Sequence, residues 1–555
     1  VSTSPPVTVG FLGGLGEIGR NMAFLEVDDR IAIVDVGVFF PDPEHLGVDL
    51  IIPDWSWLRE RADRIDAVFL THGHLDHIGA IGHFLTDFPG VTILGTKLTI
   101  AFVEAILEEW PDVPPPNFVE LEPGQAIQHG VFDVEVIKVT HSIPDGVAYA
   151  FRTPHGMVMH TGDFKLDQTP VDNQPTDMAH FARLGDEGVD LLLADSTNAD
   201  APGHVPTERI VGRAIKEELE AHTEGLVVVT SFASHVHRIQ QVLDAATAVG
   251  RRPVFVGRSM IRNMGIATEL GYLDFDPELE VQMKDVGKHD PSEIIVVCTG
   301  SQGEPFAALS LMAAGDHRHL TIGEGDLIIM ASSLIPGNER AIYRSINGLA
   351  KRGARVVHKG TASVHVSGHA NKGDLTMFHN LVEPEYFVPV HGEYRHMMAH
   401  RDIAVSTGII PEHVFVCEDG DTIVLEDNVA RRGDAIPAGM VYIDGLLPDV
   451  GPAVLRDRTR LANDGICICI VEVDRRRKEL INEPVVLQKG VVFHVEEEPI
   501  LADAVKRVSQ ELENMKDNRF ADRDAVARHV TQALGRYWKQ EVGRRPVILP
   551  VVLDV

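Results

Sequence analysis

The sequence predicts a multidomain α/β protein, and three observations carry that prediction. Short apolar strands alternate with amphipathic helices along the chain. A block at 206–355 has an α/β rhythm of its own, and strand-end chemistry of the earlier kind resumes after it, as for one domain inserted into another. Residues 461–555 form a further small α/β unit, behind a Gly-, Pro-, Asp- and Arg-rich stretch at 431–460 read as a linker. With 555 residues, 44% hydrophobic and 24% charged, the chain holds ample apolar content for buried cores and is neither disordered nor fibrous.

In the first part, 1–205, VTVGFLGGLGEIG reads as a strand and a glycine turn, and MAFLEVDD and RIAIVDVGV as two strands joined by an Asp-Asp turn. IDAVFLTHGHLDHIGAIGHFL is a buried strand, a loop and a helix start. VFDVEVIKVTHS and GVAYAFRT alternate as antiparallel strands do, and GMVMHTGDF and VDLLLADST are strands with polar carboxyl ends. Within the block, the helices TERIVGRAIKEELEAH and HRIQQVLDAATAVG alternate with the strands GLVVVTSFAS, PVFVG, IIVVCTGS and DLIIMASS. RVVHKGTASVHVSGHA and YFVPVHGEY return to the host domain, whose second part is 356–430. In the tail, Leu501, Ala504, Val505, Val508, Leu512 and Met515 mark one helix, and Val526, Val530, Ala533, Leu534 and Tyr537 a second.

Fifty Lys and Arg against 82 Asp and Glu give a formal charge of −32. That argues against a protein coated in basic surface. It leaves room for a polyanionic substrate, because a local groove or bound metals reverse the field. Arg238, Arg258, Arg262 and Lys359 are the residues expected to build such a cleft. LRDRTRLANDG and the RRRK at 475–478 add a basic stretch that reads equally as a solvated strand edge. The four cysteines make no disulfide framework, and Cys467 and Cys469 alternate onto one strand face as buried thiols. A reducing, cytoplasmic location is expected. The first residues lack the basic and apolar signal pattern, and no apolar run approaches the ~18–20 residues of a membrane span.

The sharpest signal is THGHLDHIGA, which places His72, His74, Asp76 and His77 directly after an apolar strand. On a loop these side chains can divide between two neighbouring cations, and imidazole with carboxylate suits zinc or manganese. Further candidate ligands recur at strand ends: His141, Asp163 and His391. One hydrolytic metal needs only about three protein ligands, so seven candidates argue for two ions. A pair of dications activates water near neutral pH and clamps a phosphoryl oxygen.

This H-x-H-x-D-H run with strand-end His, Asp and His resembles the metallo-β-lactamase superfamily. The resemblance implies an αβ/βα sandwich with a dinuclear site at one edge. It implies that His72, His74 and His141 hold one metal, that Asp76, His77 and His391 hold the other, and that Asp163 bridges. The inserted block, with Asp195 in LLLADST and His369 in SVHVSGHA, is similar to the β-CASP nucleases, whose added α/β domain covers the metal cleft. There the acidic residue orients the histidine, which acts at the scissile phosphate; an Asp–His pair has the raised proton affinity of a general acid. Longer strings, among them LGGLGEIGRN, SFASHVHR, CTGSQGEP, SSLIPGNE and RRPVILPVVLDV, resemble the ribonuclease J family over essentially the whole chain.

That resemblance implies a metal-dependent ribonuclease of RNA processing and decay, a 5′→3′ exonuclease favouring 5′-monophosphate RNA that also cuts internally. A terminal-phosphate pocket would draw on Ser234, His235 and the run His365, Val366, Ser367, Gly368 and His369, with Ser333 and Asn338 as further candidates. Glycine- and serine-rich loops after strands offer phosphate oxygens such donors, and none is a Walker A. The cofactors would be two divalent ions, zinc first and manganese as the alternative. Asp49 and Asp444 would hold a structural cation such as calcium if they are not simply surface acids. RNA is the expected partner, with a homodimer or homotetramer built through the tail and possible RNA-decay proteins; no membrane is expected. A DNA-directed β-CASP nuclease, a small-molecule metal hydrolase and a non-catalytic scaffold are the rival readings. The first differs by contacts to the 2′-hydroxyl, and the second has no use for the inserted domain, Asp195 or His369.

Overall fold

Two β-sheets in the larger unit share one apolar layer. The computed structural model describes residues 4–42, 44–304, 307–332, 338–445, 450–474, 477, 479–492, 497–515 and 522–554. They form two units, 1–40 with 50–440, and 41–49 with 441–555. The first sheet runs Val429–Arg432, Thr422–Glu426, Val7–Gly13, Met22–Val27, Arg30–Val34, Ile65–Phe69, Thr92–Gly95 and Phe118–Glu120. The second runs Tyr386–Val390, Leu191–Asp195, Gly156–His160, Val147–Thr153, Phe132–Lys138 and Ala126–His129.

Strand alternation explains the layering. Leu191 and Leu193 point into the shared core with Phe69, Val134, Tyr149 and Val388. Leu192 and Ala194 point to the other face, where Phe181, Leu375, Phe378 and Ile403 of the helices Met178–Glu187, Lys372–Val382 and Tyr394–Ser406 cover them. These faces make both sides of Leu191–Asp195 apolar, which is why its sequence is a continuous apolar run.

Parallel pairing puts the chemistry at one edge. His160 is level with Leu193, and Asp195 with Val390, so the strands Gly156–His160, Leu191–Asp195 and Tyr386–Val390 end together. On the first sheet, Ile65–Phe69 ends beside Arg30–Val34, with Val34 opposite Phe69. The strand-end positions of His72, Asp163, Asp195 and His391 follow from these registers.

The inserted layer is a five-stranded, all-parallel sheet in the order Arg252–Val256, Ile294–Cys298, Val227–Thr230, Leu327–Met330 and Arg355–Val357. Thr230 is level with Cys298 and Met330, and Val256 with Cys298. The loops beginning at Ser231, Gly257, Thr299 and Ala331 therefore leave one carboxyl edge, where open α/β sheets bind ligands.

Two sequence boundaries shift. Arg355–Val357 is an edge strand of the inserted sheet, and Val357, Val364 and Val366 pack in its core, so that layer continues past residue 355. The stretch 431–460 ends in a helix, Pro452–Asp464, with Pro at its first turn and a left-handed Gly465 closing it. The basic LRDRTRLAND is thus helical rather than a strand edge. Of RRRK, residues 475, 476 and 478 lie outside the described residues, and Arg477 is exposed.

In the smaller unit, Ile466–Asp474 pairs antiparallel with Val485–Lys489 and parallel with Val547–Asp554. Cys467 and Cys469 do face one side, buried with Val508, Leu512, Val530 and Leu534 of the helices Glu497–Glu513 and Arg523–Tyr537. The other side presents half-buried Ile466, Ile468 and Ile470 and exposed Val485, Leu487 and Leu549. Among the described residues, no helix is long and apolar enough to cross a membrane.

Phe69 stands edge-on to Phe132, Tyr149 and Phe151 at the centre of the shared layer, three residues before His72. Phe69→Ala is expected to lower unfolding free energy by about 3–5 kcal/mol. A denaturant titration reads the loss, and an unchanged midpoint would show the layer to be loosely packed.

Candidate metal centre

Five imidazoles and two carboxylates converge at the shared sheet edge. His72 Nε2 lies 3.0 Å from His74 Nδ1, and His141 Nε2 lies 3.1 Å from the same atom. Asp163 Oδ2 stands between two such groups, 3.7 Å from His72 Nε2 and His141 Nε2, 3.3 Å from His77 Nε2 and 3.2 Å from His391 Nε2. Asp76 Oδ2 closes the second group at 3.7 Å from His77 Nε2 and 3.8 Å from His391 Nε2. The structure thus gathers His72, His74, His141 and Asp163 in one cluster and Asp76, His77, Asp163 and His391 in another. These separations suit a cation: zinc–nitrogen bonds of about 2.0–2.1 Å place tetrahedral ligand atoms about 3.3 Å apart.

The outer ring nitrogens are fixed by the protein. His77 Nδ1 is 2.7 Å from Asp35 Oδ2, and Asp35 also accepts from Thr71 N and Thr71 Oγ1, each at 2.8 Å. His141 Nδ1 donates to Gly368 O at 2.8 Å, and His72 Nδ1 is 3.0 Å from Thr71 Oγ1. Asn21 Nδ2 donates to Asp76 O at 3.1 Å. Asp35 and His391 both hold left-handed backbone, φ 62° and 52°, an outlier that surrounding contacts must stabilise. Gly37 and Gly368 admit no side chain: a Cβ would fall 1.6 Å from Asp76 O in one case and 2.7 Å from His141 Cε1 in the other.

The electrostatics call for positive charge. Burial drives His72 and His141 well below the ordinary imidazole range and His74 to about 4, so their lone pairs are available. Burial also lowers His77, but Asp163, Asp76 and Asp35 outweigh it and raise this imidazole well above its usual value. A proton is thereby held where a cation would sit. His391 has neither ring nitrogen in a hydrogen bond among the described residues.

Next to this site, His369 Nδ1 is 2.7 Å from Asp195 Oδ2 and 4.0 Å from Asp163 Oδ2. Burial would lower His369, yet the charge and hydrogen bond of Asp195, with Asp163 and Asp76, raise it to about 9. Thr197 N and Oγ1 hold the other Asp195 oxygen at 2.9 and 2.8 Å.

Four family descriptions tile the chain. Residues 15–195 match the metallo-beta-lactamase superfamily, 224–349 the ribonuclease J beta-CASP domain, 353–417 the Zn-dependent metallo-hydrolase RNA specificity domain and 453–555 the ribonuclease J C-terminal domain. Ribonuclease J of Mycolicibacterium smegmatis is 43% identical over 99% of both chains. The chain belongs to the ribonuclease J family. Ribonuclease J2 of Bacillus subtilis is 38% identical over 98% of both chains. A crystal structure of a protein of unknown function from Enterococcus faecalis shares the fold, with TM-score 0.55 and 17% identity, over 76% of this chain and all of the other. The protein is accordingly a metallo-hydrolase whose clusters of His and Asp suit divalent metal.

Family membership leaves the candidate phosphate residues to be placed one by one. Ser234, His365, Ser367 and Gly368 are half-buried, and His235 is buried at the start of the helix Val236–Ala248. Val366 turns its side chain into the inserted core and offers only its backbone. Asn338 precedes the helix Glu339–Lys351, and Ser333 lies outside the described residues. The expected basic cleft is smaller than its residue list. Arg238 is fully buried against Glu208, and Arg262 donates to Ala105 O and pairs with Glu109, whereas Arg258 and Lys359 are exposed. Asp444 pairs with the Arg458 guanidinium, and Asp49 accepts from Gly445 N at 2.7 Å.

Asp35, Thr71, Asn21 and Asn198 escaped the sequence reading. Asp35 left one signal, an acid closing the apolar run RIAIVD, which read only as a strand end. Asp35→Ala removes the carboxylate that orients His77 and is expected to weaken metal affinity about 10–100-fold. Metal content against a chelator series measures it, and parental affinity would refute the orienting role.

Proposed function

We propose that the protein is a two-metal ribonuclease that degrades RNA from a 5′-monophosphate end and also cuts internally. His72, His74 and His141 would hold one ion, Asp76, His77 and His391 the other, and Asp163 both. Zinc suits five imidazoles best, and manganese suits the mixed set. When bound, the ions supply Lewis acidity and an activated water.

The loop from Val366 to His369 carries this reading. His369 Nδ1 is committed to Asp195, so Nε2 is the atom that hands a proton to the leaving oxygen. Ser367 Oγ accepts from Asn198 Nδ2 at 2.7 Å and from His369 N at 3.2 Å. Both hydroxyl lone pairs are then occupied, and its own proton must be donated elsewhere. A phosphate oxygen, which only accepts, fits that hydroxyl. Ser367 and His369 are two positions apart, at most about 7 Å even for extended chain, so a terminal phosphate held at one would lie close to the bond the other serves. That nearness supports cleavage close to the 5′ end. A triphosphate adds charge that the same donors cannot match, and unmatched buried charge is costly.

RNA rather than DNA fits the RNA specificity domain at 353–417 and the ribonuclease J relatives. The exposed apolar face of the tail sheet, with Val485, Leu487 and Leu549, supports assembly into a dimer or tetramer. Four free, buried thiols accord with a cytoplasmic location.

His369→Ala is expected to slow cleavage about 10²–10⁴-fold with metal content unchanged; a lost ion would instead make His369 a ligand. The acid form of His369 is present below its raised value and is lost as pH rises through it. Asp195→Asn removes the main raising charge, so the alkaline limb of the pH–rate profile should move to lower pH. A limb that stays in place would assign that titration to another group. Initiation on 5′-monophosphate RNA should exceed that on 5′-triphosphate RNA by at least about tenfold, about 1.4 kcal/mol. Equal rates would leave a plain metal-dependent nuclease.

A further inference from the structure

Beneath the same loop lies a charge that the reaction outlined above does not use. Lys165 is 1% exposed. Its ammonium has three donors and no acceptor. Its partners among the described residues are Ser367 O at 3.5 Å and Asp167 Oδ2 at 3.6 Å, both long for a charge-assisted bond. Asp167 is already engaged: Oδ1 accepts from Thr169 N at 3.0 Å and Oδ2 from Glu208 N at 2.9 Å.

The other buried cation here is matched. Arg238 holds both Glu208 oxygens at 2.8 Å and donates to Ala331 O at 2.6 Å and Val366 O at 3.3 Å. Its Nη1 also meets His365 Nδ1 at 2.8 Å. Lys165, by contrast, is a buried ion whose described partners are both at 3.5 Å or more, an arrangement that is costly unless a ligand completes it.

His235 points the same way. It is 3% exposed, and neither ring nitrogen is hydrogen-bonded among the described residues. Burial, Arg238, His237, His365 and Lys165 hold its proton affinity well below the ordinary imidazole range. Its Nε2 lies 3.8 Å from Glu208 Oε1, and Glu208 N bonds the same Asp167 oxygen that Lys165 approaches. A neutral imidazole still carries one N–H donor. Among the described residues, the Lys165 ammonium and the His235 ring thus reach acceptors only at 3.5–3.8 Å, namely Ser367 O, Asp167 Oδ2 and Glu208 Oε1.

We propose that Lys165 is the fixed positive charge of the terminal-phosphate pocket, its ammonium meeting the phosphate oxygens alongside the Ser367 hydroxyl and the His235 ring. This rests on the 5′-end reading and adds the residue that senses charge. The ligand chemistry is a phosphate dianion, which the RNA end, a nucleoside monophosphate and inorganic phosphate all offer.

The test uses metal-loaded protein and short non-cleavable 2′-O-methyl RNA carrying either a 5′-monophosphate or a 5′-hydroxyl, with binding read by fluorescence anisotropy. The parent should bind the phosphorylated RNA at least about tenfold more tightly. Lys165→Met should bring that ratio close to one at unchanged metal content, and Lys165→Arg should retain most of it. Where Lys165→Met alone fails to fold, the pair Lys165→Met with Asp167→Asn removes both charges and is expected to give the same ratio. A parental ratio in the Met variants overturns the role of Lys165 and leaves the 5′-end reading standing. A ratio near one in the parent overturns both. Inorganic phosphate or a nucleoside monophosphate that binds the parent as tightly as the phosphorylated RNA would overturn the assignment to an RNA end.

Discussion

A single buried carboxylate, Asp163, organises the larger unit. Its Oδ2 lies within 3.7 Å of four imidazole nitrogens that arrive from three separate chain segments. An unpaired buried carboxylate is too costly to keep, and a ring of imidazoles does not by itself neutralise it. The arrangement is stable only with positive charge among those rings. His77 registers that demand, held protonated by Asp163, Asp76 and Asp35 against the cost of burial. A divalent ion held by His77, His391, Asp76 and Asp163 would answer the same demand.

That constraint sets how precisely the sheets must end. The parallel registers of Gly156–His160, Leu191–Asp195 and Tyr386–Val390 deliver Asp163, Asp195 and His391 to one level. Slipping one register by a residue would turn the following side chains to the opposite face. Two left-handed residues, Asp35 and His391, belong to this site. Such strain persists only where the two sheets are locked, which the packing around Phe69 provides.

The loop Val366–His369 joins two kinds of recognition. Gly368 O holds the outer nitrogen of the metal-side His141, Asn198 holds Ser367 and the His369 carbonyl, and Asp195 holds the His369 ring. Contacts to the metal-side His141, to Asn198 and to Asp195 therefore converge on one short segment. Its glycine is obligatory, because a Cβ at residue 368 would overlap the His141 ring. In the proposed reaction, that segment would hold a terminal phosphate near Ser367 at a fixed separation from the His369 ring.

How much of this was legible in the sequence follows from locality. The seven metal-site residues were readable because ligand chemistry concentrates in strand-end loops and leaves compact motifs such as HGHLDH. The period-2 pattern of ICICIVEVD and the helical stripes of the tail were readable for the same reason, and both recur in the structure. Tertiary structure decided what depends on distant partners. Asp35 looks like a strand end until His77 arrives from 42 positions away. Arg238 looks like a surface cation until Glu208 and the Val366 carbonyl enclose it. Arg355–Val357 joins the inserted sheet because Ile329 pairs with Val357, a contact no local pattern encodes. Asp444 reads as a cation ligand or a surface acid, and in the fold it pairs with Arg458. Sequence alone determined which residue types and periodicities were present. Only the folded chain determined which buried charges meet, because charge pairing depends on separation in space and the fold sets that separation.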